Sequence, residues 1–363
     1  MQKSNITEIF FELVRLGIGT GSKLSIPPTA QQWEELFDLS KKQTLTGITF
    51  SGIERLPAEM RPPKEVLLKW YNICQLITKQ NAFLNKQAVM VAQKFREEGF
   101  ENVILKGQGI ATLYKEPERR ASGDIDIWLA ADRKTILKYV KKFFPTAAPI
   151  YHHIDFPILK NLEIEIHFTP SWMYNYFTNR KLQKFFKQEI KRQTSNKITL
   201  GNEGYISAPT LDFNRIYILL HIYRHLFQEG IGLRQLLDYY YVLVQGFTKE
   251  EQKATITRLK EFRMLRFAGA TMYVIKKVFN ISDEYMLVPP LESEGEQLLG
   301  EIMEKGNFGR YNPELHIQKN GSLLARACSR TKQNMKLASN YPSEIFGAPF
   351  FRTWHFFWMQ LNK

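Results

Sequence analysis

The chain has little of what marks a stapled or membrane-embedded protein. Its only two cysteines, Cys74 and Cys328, stand far apart in 363 residues. That excludes a disulfide framework and a cysteine metal cluster, and it fits a reducing compartment, so a cytoplasmic location is expected. No apolar run reaches the roughly eighteen residues that a membrane span needs. The opening MQKSNITEIFFELVRLG has acids inside its apolar run and no small-residue cleavage site, so it reads as an amphipathic helix and not a signal peptide. Internal repeats, low-complexity segments and long Lys/Arg blocks are absent too. The basic excess is therefore diffuse: 50 Lys and Arg against 36 Asp and Glu, a net charge of +14. Either it favours anionic partners such as nucleotides, nucleic acid or phosphorylated substrates, or it is compositional drift.

Hydrophobic residues make up 44% of the chain, enough for real cores. The most informative stretch is VILKGQGIATLYKEPERRASGDIDIWL, residues 103–129. An apolar strand is broken at Lys106, Gly107 and Gly109, and a short helix is expected over 109–115. The chain returns as a second strand over 123–129. Side chains alternate along a strand, so Ile125, Ile127 and Leu129 face one way and Asp124, Asp126 and Trp128 the other. Two carboxylates side by side repel unless they are solvated or share a cation, and Mg²⁺ prefers carboxylate and phosphate oxygens. The glycine-broken turn offers backbone N–H groups to an anion, and Lys106 adds a point charge for phosphate. This describes a metal-and-phosphate site; the plainer reading is a surface strand with two solvated aspartates.

Strand, glycine loop, short helix and Asp-hydrophobic-Asp together resemble the DNA polymerase β-type nucleotidyltransferase superfamily. The fuller pattern LKG…Y…R…GDIDI is similar to the family of uncharacterised nucleotidyltransferases. The resemblance implies a third carboxylate on a neighbouring strand. LEIEIHF, residues 162–168, maps an acid, an apolar residue and a histidine onto Glu165, Ile166 and His167, with Glu163 as the rival on the same face. It also implies Mg²⁺ or Mn²⁺ held by Asp124, Asp126 and Glu165, an NTP as substrate, and a triphosphate cradled by Lys106, Gly107 and Gln108. Gln108 stands where the superfamily usually has Ser or Gly. Arg120 maps onto the family's arginine, either a phosphate clamp or an exposed turn residue. GIGLRQLLDYYYVL carries over His225, Arg234 and Asp238; Arg234 either pairs with Asp238 or faces the nucleotide.

The fold expected is α+β: a small mixed-sheet core flanked by helical regions. The expected divisions are a helical region over 1–98, a nucleotidyltransferase core over 99–200 and a helical domain over 201–363. In the first, Gly17, Gly19 and Gly21 read as a linker and Thr29 as a helix N-cap. A long helix runs from Lys64 to Glu98, with Leu68, Tyr71, Leu76, Phe83 and Val91 among its apolar positions, and stops at Gly99. In the core, a helix is expected over 131–144, and 150–159 pairs with 162–168 across Lys160-Asn161. Arg180, Lys181, Lys184, Lys187, Lys191, Arg192 and Lys197 suit the outer face of an amphipathic helix, either solvated or an acceptor groove. Beyond residue 201 the chain reads as helical, with Asp212 a candidate cap and helices near 249, over 262–279, 294–304 and 323–338. His221, His225 and Glu229 form one stripe whose spacing lacks a metal signature. The tail FGAPFFRTWHFFWMQLNK is expected to bury its aromatics, docked on its own helical domain or in a partner or membrane surface.

The activity implied is transfer of NMP from an NTP to an acceptor hydroxyl, releasing pyrophosphate. The acceptor stays open among a small molecule, a protein and RNA. Two other readings stand beside it: a catalytically weak nucleotide-binding protein of the same fold, and a basic nucleic-acid binder.

Overall fold

The strand-forming run Ile125–Leu129 is buried on both faces, so the molecule is built around it. A computed structural model describes residues 2–312, 332 and 335–361. Helices α1 (Gln2–Ile18), α2 (Ala30–Lys42), α3 (Thr46–Glu54) and α4 (Lys64–Glu97) lead into β1 (Asn102–Leu105), α5 (Gly107–Ala111), β2 (Ile125–Leu129), α6 (Arg133–Phe143), β3 (His153–Asp155) and β4 (Ile164–His167). Then come α7 (Tyr176–Ser195), β5 (Lys197–Thr199), β6 (Tyr205–Ser207), α8 (Leu211–Gln228), α9 (Leu233–Leu243), α10 (Lys249–Glu261), α11 (Leu265–Phe279), α12 (Glu292–Lys305) and α13 (Pro342–Leu361). The fold is α+β.

The main sheet has the order β1-β2-β4-β3. β2 and β4 run parallel and the outer pairs antiparallel, which sets Asp126 beside Glu165 and Trp128 beside His167. Alternation divides the sheet between two cores. Ile104, Ile125, Ile127 and Ile166 join the core closed by the second half of α4 and by α6. Val103, Leu105 and Trp128 join the larger core, which unites α1–α3 with α8–α12. Asp126 shares the Trp128 face, so its carboxylate lies on the side that α8 and α9 cover.

Local signals formed as their chemistry requires. Thr29 and Gln32 exchange hydrogen bonds in a capping box at the start of α2. Gly99, at φ +82°, ends α4 with Gly99 N–H donating to Arg96 and Phe100 N–H to Phe95. Other expectations need correction. Gly17 belongs to α1: a Cβ there would meet the Ile48 carbonyl oxygen at 2.1 Å, so it permits a close helix crossing and is no linker. Gly47 on α3 lies as tightly, its would-be Cβ 2.1 Å from the Arg119 carbonyl oxygen. On α4, Leu68, Tyr71, Leu76 and Phe83 face outward; Trp70, Cys74, Asn81, Leu84, Ala88, Val91 and Phe95 make the buried stripe, at spacings of three, four and seven.

The short helix begins at Gly107 instead of 109. The β3–β4 ladder stops at Asp155 and Glu165, extended only by Phe156 N–H donating to Ile164. Pro157 has no N–H to continue it, so the connection is wider than a Lys160-Asn161 turn. The β5–β6 hairpin interrupts the stretch beyond 201 read as helical; it turns at Gly201 and Gly204, with Ile198 and Ile206 paired. Thr210, not Asp212, occupies the N-cap of α8, and Asp212 instead bonds Arg192. Cys74 is buried beside Arg119, while Cys328 and most of the helix expected over 323–338 lie outside the described residues. No described helix is long and apolar enough to cross a membrane.

The aromatic tail does not bury all its rings. Phe351 packs on Tyr151, Trp172 and Tyr174, and Trp354 on Tyr151, so these rings meet the 151–174 segment. The helical period turns Phe350 and Phe357, seven apart, to the opposite side, 80% and 61% exposed.

Candidate active site

A cavity of about 1370 Å³ opens over the carboxylate-bearing ends of β2 and β4. β2 and β4 supply Asp126 and Glu165, the start of α5 supplies Gly107 with Lys106 just before it, and α8 and α9 supply Arg224 and Arg234. Lys106 sits at φ +52°, an unusual conformation for a residue with a Cβ, and the next residue, Gly107, is also at positive φ. That bend aims the Lys106 ammonium back at β2, where Nζ lies 2.7 Å from Asp126 Oδ2.

The other Asp126 oxygen, Oδ1, is 2.8 Å from His167 Nε2. His167 Nε2 is also 3.3 Å from Glu165 Oε2, which His153 Nδ1 approaches to 2.9 Å. Ligand atoms of Asp126, Glu165 and His167 all lie within 4.8 Å of one another. One oxygen or ring nitrogen from each fits a divalent cation by donor type and proximity. Among the described residues Asp124 joins no such set; it precedes β2, partly buried, and lines the cavity. Glu163 is exposed and outside β4, so Glu165 is the acid in register with Asp126.

Electrostatics separates these acids. The charge of Asp126, then burial, raises the Asp124 pKa. Burial would raise Asp126 as well, but Lys106 and His167 outweigh it and hold it below the ordinary range. Burial likewise works against ionised Glu165, and His153 and His167 overcome it to hold that carboxyl far down. His167 is opposed by burial, yet the two carboxylates raise its pKa.

Arg120 is neither an exposed turn residue nor free for phosphate. It is 2% exposed, and its Nε and Nη2 donate to the two oxygens of Asp238 at 2.7 and 2.8 Å. The Tyr114 hydroxyl donates to the same carboxylate at 2.6 Å, and Arg234 Nη1 stands 3.4 Å away. The Arg120 segment is clasped from outside: Gly47 lets α3 lie against it, and Asn81 of α4 donates to the Glu118 and Arg120 carbonyls. Gln108 is 1% exposed, lies outside the cavity lining, and has both side-chain polar atoms without a partner. His225 contacts Glu229 at 3.4 Å and stacks edge-on with His221.

Sequence reasoning missed three residues here. His152 and His153 sit together ahead of the EIEIH strand, and antiparallel pairing brings His153 opposite His167. Arg224 lies between His221 and His225 on α8. Its Nη1 donates to His152 Nε2 at 2.9 Å, its plane lies 4.2 Å over Trp172, and its Nε is buried without a partner. Among the described residues no carboxylate forms an ion pair with it, although the charges of Glu165 and Glu229 reach it from farther away. The adjacent histidines and the His-x-x-Arg-His run were the available signals.

The sequence profile of the uncharacterised nucleotidyltransferases matches residues 29–280. No curated protein sequence matches the chain. Among solved structures, an antigenic nucleotidyltransferase-like protein from Paracoccidioides brasiliensis shares 13% identity, covering 59% of this chain and 96% of its own, at a TM-score of 0.33. With the profile spanning more than half of its length, the chain belongs to the family of uncharacterised nucleotidyltransferases.

Proposed function

We propose that the protein transfers NMP from an NTP to an acceptor hydroxyl, releasing pyrophosphate, with a divalent cation such as Mg²⁺ or Mn²⁺. The observation that carries this reading is the register of Asp126 against Glu165 on parallel strands, under a cavity that also receives Asp124. Asp124, Asp126 and Glu165 hold the cation. A divalent cation supplies neutralisation of phosphate charge and makes an acceptor hydroxyl easier to deprotonate. Glu165, held far below the usual carboxylate range, is a poor base, so its part is that of an anionic ligand.

The phosphates need cations that are not already paired. Lys106 is engaged by Asp126 and Arg120 by Asp238. Arg224 is not, and it is the cation that meets the triphosphate, supported on Trp172 and steered by His152; Arg234, whose contact with Asp238 is a long one, stands second to it. Positioning and charge neutralisation carry most phosphoryl-transfer catalysis. The acceptor is a small molecule, a protein or an RNA end.

A second reading, nucleotide binding without transfer, draws on Gln108 turned away from the cavity. Pyrophosphate release and label transfer from each α-labelled NTP, with Mg²⁺ or Mn²⁺ and cell extract as the acceptor pool, decide between them. Transfer by the wild type that disappears in Asp124→Asn/Asp126→Asn is the expected result. Nucleotide binding with no transfer under either metal would favour the second reading. A nucleic-acid binder using the exposed basic face of α7 would instead show salt-dependent binding that survives the double substitution.

A further inference from the structure

We infer that the Asp126, Glu165 and His167 cluster, extended by His153, selects a transition dication of the Mn²⁺, Co²⁺ or Zn²⁺ class over Mg²⁺. The inference rests on the proposed active site for its location and goes beyond it in naming the ion. Mg²⁺ takes oxygen ligands and gives up its waters reluctantly. Imidazole nitrogen belongs to the transition ions, whose affinity for mixed nitrogen and oxygen sites exceeds that of Mg²⁺. Here imidazole stands inside the cluster and not beside it.

The spacing supports coordination. Two ligands at right angles around an ion with bonds of roughly 2.1 Å lie about 3 Å apart. The contacts Asp126–His167, Glu165–His167 and Glu165–His153 measure 2.8, 3.3 and 2.9 Å. A separate observation concerns the far side of the His167 ring. Nδ1 lies 3.4 Å from the Thr169 carbonyl oxygen. A metal-ligating histidine typically donates its other N–H to such an oxygen, which fixes the tautomer and frees the facing nitrogen for the metal. A third imidazole adjoins: ring nitrogens of His152, His153 and His167 also lie within 4.8 Å of one another, and His152 Nδ1 is buried without a partner. The exposed Asp155 joins His153 and Glu165 in a further set at the rim of the same cavity.

In the metal-free chain the Lys106 ammonium and the His153 and His167 rings occupy the neighbourhood of the carboxylates. An entering cation takes the facing nitrogen of His167 and displaces the proton there. The imidazole sets the selectivity, and the carboxylates supply charge that any dication would use.

The test uses chelator-stripped full-length protein and Co²⁺, whose visible absorption reports its ligands without any turnover. The expected result is one Co²⁺ per chain, with a spectrum that persists in about a hundredfold excess of Mg²⁺ and is removed by Zn²⁺. His167→Ala should weaken Co²⁺ binding about a hundredfold, and His167→Asp, which puts an oxygen in place of the central imidazole, should let Mg²⁺ compete. Should His167 variants fail to fold by circular dichroism, His153→Gln takes their place, with a loss of about tenfold expected. Mg²⁺ displacing Co²⁺ at equal concentration would overturn the inference, as would Co²⁺ affinity unchanged in folded His167 and His153 variants. Failure of the proposed activity looks different. Co²⁺ held selectively with no nucleotidyl transfer under any metal sinks the activity and keeps the ion site. Transfer with Mg²⁺ and no Co²⁺ preference does the reverse.

Discussion

Two buried aspartates line the same cavity and are held in different ways. Asp238 receives the two-pronged fork of Arg120, the Tyr114 hydroxyl and a longer contact from Arg234. Asp126 receives a single ammonium and one imidazole nitrogen. A bidentate arginine pair is directional and, once buried, costly to open. An ammonium is a point charge on a flexible stem, and another cation can take its place. The difference teaches which buried acid is scaffold and which is available for chemistry. Asp238 ties α9 to the segment ahead of β2, whereas Asp126 keeps its charge exchangeable.

The strongest way to break this comparison is Asp238→Ala. It strands the buried Arg120 charge, and a loss of about 3–5 kcal/mol in urea unfolding is expected. A loss below about 1 kcal/mol would show that the fork is not the scaffold it looks like. Glu344 sharpens the comparison as a third case, a buried carboxylate that accepts from the neutral N–H groups of Tyr174 and Asn175, with the Arg263 charge acting more weakly. Burial, only partly offset by those N–H groups, pushes its pKa up to about 7 from 4.5. The folded state therefore binds the proton more tightly. Its contribution is fully present below pH 4.5 and is lost as pH rises towards 7, roughly 3 kcal/mol in all. Glu344→Gln should flatten that slope in denaturation curves taken across this window; an unchanged slope would place the titration elsewhere. The smallest effect is expected from Lys106→Met, about 1–2 kcal/mol, because Asp126 keeps His167 and faces the cavity. Added Mn²⁺ should raise the melting temperature of this variant more than that of the wild type. A cost equal to that of Asp238→Ala would erase the distinction.

The carboxylate strand was legible in the sequence because its chemistry is local. Alternation along GDIDIWL and LEIEIHF puts the acids and His167 on one face without reference to anything distant. The same holds for Thr29, Gly99 and the basic face of α7. What could not be read was who meets whom across the chain. Arg120 and Asp238 are 118 residues apart. Each looked like a site residue or a turn residue until α9 was folded over β2. Lys106 read as a phosphate ligand because nothing local shows its stem turned back on Asp126. Arg224 drew no notice because an arginine on an apolar helix gains meaning only from what packs against it, here His152 and Trp172. The outward apolar face of α4 misled for a related reason: periodicity gives a stripe its spacing, and tertiary packing decides which stripe is covered.

The glycine at position 47 has a consequence for how damage spreads. It lines no part of the cavity, yet the Arg119 carbonyl fills the space a methyl group would occupy. Enlarging it would lever the 117–120 segment outward, and Arg120 would travel with it away from Asp238. A residue with no side chain, buried among the N-terminal helices, thus acts as the spacer on which the far wall of the site is shimmed. Variation there would register as lost function before any residue of the site itself had changed.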